Sequence, residues 1–99
     1  MYVIVWEYQV KMDRRSEFEA ACSSESAWAE LFKRSEGFMA VELLRDQTDP
    51  LHYLTIDRWR SKAGYEEFLS RWQEEYKVLD ALCETMTERE ALIGKWGYI

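Results

Sequence analysis

The chain holds one histidine, His52, and two cysteines, Cys22 and Cys83. An ordinary imidazole pKa of ~6.5 suits proton abstraction at neutral pH, which makes His52 the candidate general base; the competing reading is a surface hairpin histidine. Glu7, Glu42 and Asp57 are the carboxylates that fall on strand-like segments. Asp57 reads as a strand-end group pairing with Arg58, Arg60 or Lys62, and Glu42 as a cross-strand partner for a basic residue. The cysteines lie far apart, with no CxxC and a single histidine, so one chain builds neither a zinc site nor a disulfide framework. Each falls on an apolar helix face and reads as a buried, reduced, inert thiol. No Ser-His-Asp or paired-carboxylate arrangement follows from spacing. What remains is aromatic: five Trp, six Tyr and four Phe, 15% of the chain.

Positioning such groups takes a folded scaffold, and the composition supplies one. At 47% hydrophobic and 32% charged, the 99 residues are too apolar for a disordered segment and fit a single domain over 1–99. Thirteen Lys and Arg against nineteen Asp and Glu leave a net charge of −6, which repels a phosphate backbone and excludes nucleic acid as partner. The start of the chain lacks the basic and long apolar stretches of a signal peptide, and no apolar run is long enough for a membrane span. A cytoplasmic protein is expected.

Residues 2–11 are β-branched and aromatic, with Tyr2, Ile4, Trp6, Tyr8 and Val10 on one face. Their first half is apolar on both faces, as in a strand covered on both sides. Ser16 and Glu19 form an S-x-x-E capping pattern that opens a helix over 14–35. The polar run from Cys22 to Ser26 fits one helix with a break or two short ones. Strands follow at 38–46 and 51–60, joined by the turn formers of 46–50, with Tyr53, Thr55, Asp57 and Trp59 opposite His52, Leu54, Ile56 and Arg58. Ser61 caps a helix over 62–84 that is expected to bury Phe68, Leu69, Trp72, Tyr76 and Leu79. A last strand covers 88–98, interrupted by Gly94 and Gly97. The βαββαβ order predicts an α+β, ferredoxin-like fold: a four-stranded antiparallel sheet with both helices on one face. A bare second face that is also apolar predicts a homodimer in which two sheets pair.

The run Thr55-Ile56-Asp57-Arg58-Trp59-Arg60-Ser61, followed by Tyr65 and Phe68, resembles a signature of the antibiotic biosynthesis monooxygenase family: acidic residue, any residue, Trp, then a Ser-capped helix with an early aromatic. The opening strand, Phe18, Glu36-Gly37-Phe38 and Ile93-Gly94-Lys95-Trp96 extend the resemblance over nearly the whole chain. It implies a dimeric α/β barrel, and one of several chemistries: cofactor-independent oxidation of phenols to quinones, quinol oxidation, haem degradation, or no turnover. The haem-degrading branch uses a first-strand Asn and a Trp and a His on the second helix. Trp6 or Glu7, Phe68 and Val78 stand at those positions here, so haem is not expected, and neither zinc nor flavin.

Cofactor-free oxidation draws its electrons from the substrate's own phenolate, so the protein has only to bind a ring, take its proton and exclude water. The resemblance thus implies a monooxygenase for a small aromatic, with no cofactor and no metal. Its substrate would lie in the helix–sheet cleft among Trp6, Tyr8, Trp28, Phe32, Phe68, Trp72 and Tyr76, the ring resting against Trp6 and Trp72. The alternative is a dimeric module that binds a hydrophobic small molecule without turnover.

Overall fold

The computed structural model describes residues 1–99. Strand β1 (Tyr2–Val10) leads through a single 3-10 turn at Met12–Arg14 into helices α1 (Arg15–Cys22) and α2 (Ala27–Phe32). Strands β2 (Phe38–Arg45) and β3 (His52–Trp59) form the hairpin; α3 (Lys62–Arg71), α4 (Gln73–Glu84) and β4 (Thr87–Gly97) complete the chain. All pairings are antiparallel and the strand order is β2-β3-β1-β4, the ferredoxin-like arrangement. No helix is long and apolar enough to cross a membrane.

The register brings one residue set to the helix side. Ile4 stands opposite Asp57, Trp6 opposite Thr55 and Tyr8 opposite Tyr53, so the even positions of β1 and the odd positions of β3 share a face. Ile4, Tyr53 and Trp59 are fully buried there against Phe18, Phe32 and Phe68. Phe68 meets Phe32 at 5.2 Å and Trp59 at 5.1 Å between ring centres, an aromatic layer that anchors α3 to the sheet. Close backbone approach helps: a Cβ on Gly37 would come within 3.2 Å of the Gly64 Cα, so two glycines let the start of α3 rest on the entry to β2.

The helix ends depart from expectation in two places. Ser26 and Ser61 cap α2 and α3 through their hydroxyls, which accept from the amides of Ala29 and Gly64. Ser16 caps nothing, because the 3-10 turn runs directly into α1 and leaves Ser16 already inside the helix. Glu19 consequently bonds the Tyr53 hydroxyl and Arg45 rather than closing a capping box. The helix expected over 62–84 is two, broken at Trp72, whose φ of −114° and ψ of 29° lie outside the helical region. Only Phe68 of its expected core stripe is fully buried; Leu69, Trp72, Tyr76 and Leu79 are half-buried against the core. β4 runs continuously through Gly94, absorbing the irregularity as a bulge opposite Val5 and Trp6.

Candidate functional site

Between the sheet and the helices lies a cavity of about 40 Å3. Its floor is Trp6 and Tyr8 of β1, Thr55 and Asp57 of β3 and Val41 of β2; Cys22, Trp28, Phe32 and Tyr76 wall it from the helices, and Asp80 and Glu90 join from α4 and β4. The walls are held in place. The Trp28 indole N–H donates to Cys83 Sγ at 3.1 Å, and Tyr76 meets Trp28 edge-on with centroids 5.0 Å apart.

Asp57 is the unusual member. Its strand neighbours in register are Ile4 on one side and Val41 on the other, both buried and apolar. Only 9% of the residue is exposed, and its carboxylate makes no hydrogen bond or ion pair with the protein. Burial alone pushes its pKa up to about 7, so the group exchanges a proton near neutrality. It does not pair with Arg58, as the sequence suggested, because adjacent strand positions face opposite ways; Arg58 pairs instead with Glu42, Nε to Oε1 2.6 Å, on the other face.

The tyrosines act differently. Burial drives the Tyr8 hydroxyl far above its ordinary pKa, against a smaller lowering influence of the Thr55 hydroxyl, and raises Tyr76 as well, so both stay neutral. Cys22 is raised by its hydrogen bond to Cys83 and by burial, in keeping with an inert thiol. At the mouth, Asp80 and Glu90 are half-buried, and desolvation followed by repulsion from neighbouring carboxylates raises both.

Of the expected site residues, Trp6, Tyr8, Trp28 and Tyr76 are brought together with Phe32 around this cavity. Phe68 lies in the buried aromatic layer against Phe32 and Trp59, outside the lining. Trp72 is half-buried against the core but outside the lining, with the guanidinium groups of Arg34 and Arg71 over its ring at 5.0 and 5.7 Å. The break before α4 is what turns it away from the position a continuous helix would give it. His52 does not reach the cavity, because the two-residue strand period puts it on the opposite sheet face from Asp57. Both of its ring nitrogens are engaged there: Nε2 is 2.7 Å from Glu7 Oε2 and Nδ1 is 2.8 Å from Asp46 Oδ2. These contacts, Asp46 first, raise its pKa. The alternation of β3 already grouped Asp57 with Tyr53, Thr55 and Trp59, and that was the available signal for its burial.

Residues 1–78 match the family model described as antibiotic biosynthesis monooxygenase. The chain belongs to this family. No curated protein matches the sequence. Among solved structures, the chain is similar to SnoaB, a cofactor-independent oxygenase from Streptomyces nogalater, at 19% identity and a TM-score of 0.81, covering 99% of this chain and 92% of that one. A putative antibiotic biosynthesis monooxygenase from Bordetella bronchiseptica matches at 19% identity and a TM-score of 0.77, over 99% and 96% of the two chains. A conserved protein from Methanosarcina mazei Go1 matches at 14% and 0.74, over 96% and 89%. At these identities the antibiotic biosynthesis monooxygenase fold is what is shared. Asp57 and Trp59 fall within the matched residues; Asp80, Glu84 and Glu90 lie beyond them.

Proposed function

We propose that the protein is a cofactor-independent monooxygenase that oxidises a small phenol or quinol in the cavity between helices and sheet, with Asp57 as the proton acceptor. The observation that carries this reading is the unpaired Asp57 carboxylate, titrating near neutrality inside an aromatic-walled cavity. Family membership and the likeness to an oxygenase described as cofactor-independent support the reaction class.

The proton is the key to the chemistry. Asp57 takes it from a ring hydroxyl, and the phenolate becomes electron-rich enough to reduce dioxygen. The ring carbon bonds to oxygen, the distal oxygen accepts a proton, and loss of the ring C–H proton with O–O cleavage leaves a quinone carbonyl and one water. One phenol and one dioxygen thus give one quinone and one water, with no external reductant. At about 40 Å3 the cavity is tighter than the ~150 Å3 apolar cavities that take up benzene. A ring therefore enters when the half-buried Trp6 and Tyr76 move outward, and their return excludes water.

The active form in this proposal is a homodimer. The sheet face away from the helices carries Val3, Val5, Leu54 and Ile56, with Leu44 47% and Trp96 50% exposed, an apolar surface that a second copy would cover. Light scattering at micromolar concentration is expected to give twice the monomer mass.

Oxygen uptake with a panel of phenols and quinols, with chelator present and no flavin, tests the activity. The expected result is consumption matched by quinone formation. Absence of uptake with every member would favour a module that binds a hydrophobic molecule without turnover.

A further inference from the structure

The charge of the cavity has no counterpart. Its lining includes three carboxylates, Asp57, Asp80 and Glu90, and not one Lys, Arg or His. Glu84 stands beside the mouth, and ligand oxygens of Asp80, Glu84 and Glu90 all lie within 4.8 Å of one another. None of these four residues takes part in an ion pair, although Arg and Lys pair with Glu17, Glu19, Glu30, Glu42 and Glu66 elsewhere. In a protein with thirteen basic residues, a concentration of unneutralised carboxylates around an aromatic cavity is a charge waiting for a ligand. Asp57 makes the same point independently, being nine-tenths buried, without a partner, and part of the cavity floor.

We propose that the cavity selects phenols that carry a protonated amine, the ammonium group docking between Asp80 and Glu90 at the mouth and the ring hydroxyl meeting Asp57 inside. This rests on the reading of the cavity as the substrate site. The two ends differ: Asp57 is buried while Asp80 and Glu90 are half-exposed, which suits a molecule with an uncharged hydroxyl at one end and a charged group at the other. Trp6, Trp28 and Tyr76 add ring faces whose negative quadrupoles attract a cation. A carboxylated phenol would meet the carboxylates of Asp80 and Glu90 and no cationic donor, and an uncharged one would leave Asp80 and Glu90 unpaired. Burial first, and repulsion from neighbouring carboxylates second, disfavour the charged forms of Asp80 and Glu90, and an ammonium ion between them relieves the repulsion.

Binding of three phenols of one ring size separates the possibilities: tyramine, 4-methylphenol and 4-hydroxyphenylacetate, titrated against the wild-type protein under anaerobic conditions with tryptophan fluorescence and calorimetry as readouts. Tyramine is expected to bind at least about tenfold more tightly than 4-hydroxyphenylacetate, with 4-methylphenol between them. The Asp80→Asn, Glu90→Gln double variant should shrink that ratio to less than about threefold. Glu67→Gln with Glu74→Gln removes the same charge outside the cavity and should keep the ratio, which distinguishes a local site from net charge. Equal or reversed affinities, equal loss in both double variants, or no binding of any phenol at millimolar concentration overturns the inference. So does a magnesium or manganese ion that binds one-to-one at Asp80, Glu84 and Glu90 and abolishes the tyramine preference, for the trio would then be a metal site. Because binding is read without oxygen, a missing oxygen uptake sinks only the oxidation reading, and a missing preference sinks only this one.

Discussion

Strand β3 carries two titratable groups, His52 and Asp57, in opposite circumstances. His52 faces away from the helices, half-exposed, with a carboxylate on each ring nitrogen. Asp57 faces the helices, buried between Ile4 and Val41, with no partner at all. A paired surface group adds a little stability. An unpaired buried carboxylate subtracts from it, and a protein retains such a group at a cost only where something else uses it. On the proposed reading, His52 has a structural part on one face and Asp57 a chemical part on the other, against the first impression that a lone histidine gives.

The sharpest way to break the comparison is Asp57→Asn. Below about pH 4 the carboxyl is protonated in both folded and unfolded chains and costs nothing. Between about 4 and about 7 the unfolded chain ionises while the folded one keeps its proton, so wild-type stability falls as pH rises, reaching a deficit of about 4 kcal/mol above pH 7. Urea denaturation at pH 8 should find Asp57→Asn more stable than wild type by up to that amount, with the gap closing toward pH 4. On a phenol or quinol that the wild type oxidises, kcat/KM should rise with pH, half-maximal near 7 and levelling off above about 8, and the variant should lose at least about 100-fold. A variant that is less stable at pH 8, or equally active, would return Asp57 to the structural class.

A smaller effect sharpens the map of the wall. Trp6 lines the cavity; Trp72 lies under Arg34 and Arg71 outside it. Trp6→Ala should lower kcat/KM by at least about tenfold, equivalent to ~1.4 kcal/mol of lost transition-state stabilisation, and Trp72→Ala should stay within about twofold. The reverse ranking would move the site to the groove between α3 and the loop at 34–37.

Strand alternation and the Ser61 cap made the sheet and its order of elements legible from the sequence, and five of the seven aromatics expected in the cleft lie around the cavity. Trp72 was misplaced because helical periodicity extrapolates through a break that no Pro or Gly marks. His52 was overvalued because residue type says nothing of which sheet face a base occupies, and Asp57 undervalued because a neighbouring Arg58 in sequence is not a neighbour in space. Nothing in the spacing of Asp80 and Glu90 marks a shared site; only the packing of α4 beside β4 brings them to one mouth.

The least of the expected effects concerns His52 itself. Its contacts to Asp46 and Glu7 raise its folded pKa above the ordinary ~6.5, so the protonated form is the one that the fold favours. The resulting stabilisation is complete below about pH 6.5 and disappears as pH rises through the raised folded value. For half-exposed groups it is worth roughly 0.2–1 kcal/mol. The decline due to Asp57 overlaps the same range, so the measurement belongs in the Asp57→Asn background, comparing urea midpoints with and without His52→Gln from pH 5.5 to 9. The histidine-containing protein should be the more stable at the acid end, and the two should converge as pH rises. Parallel curves across that range would show that the Glu7–His52–Asp46 contacts hold nothing together.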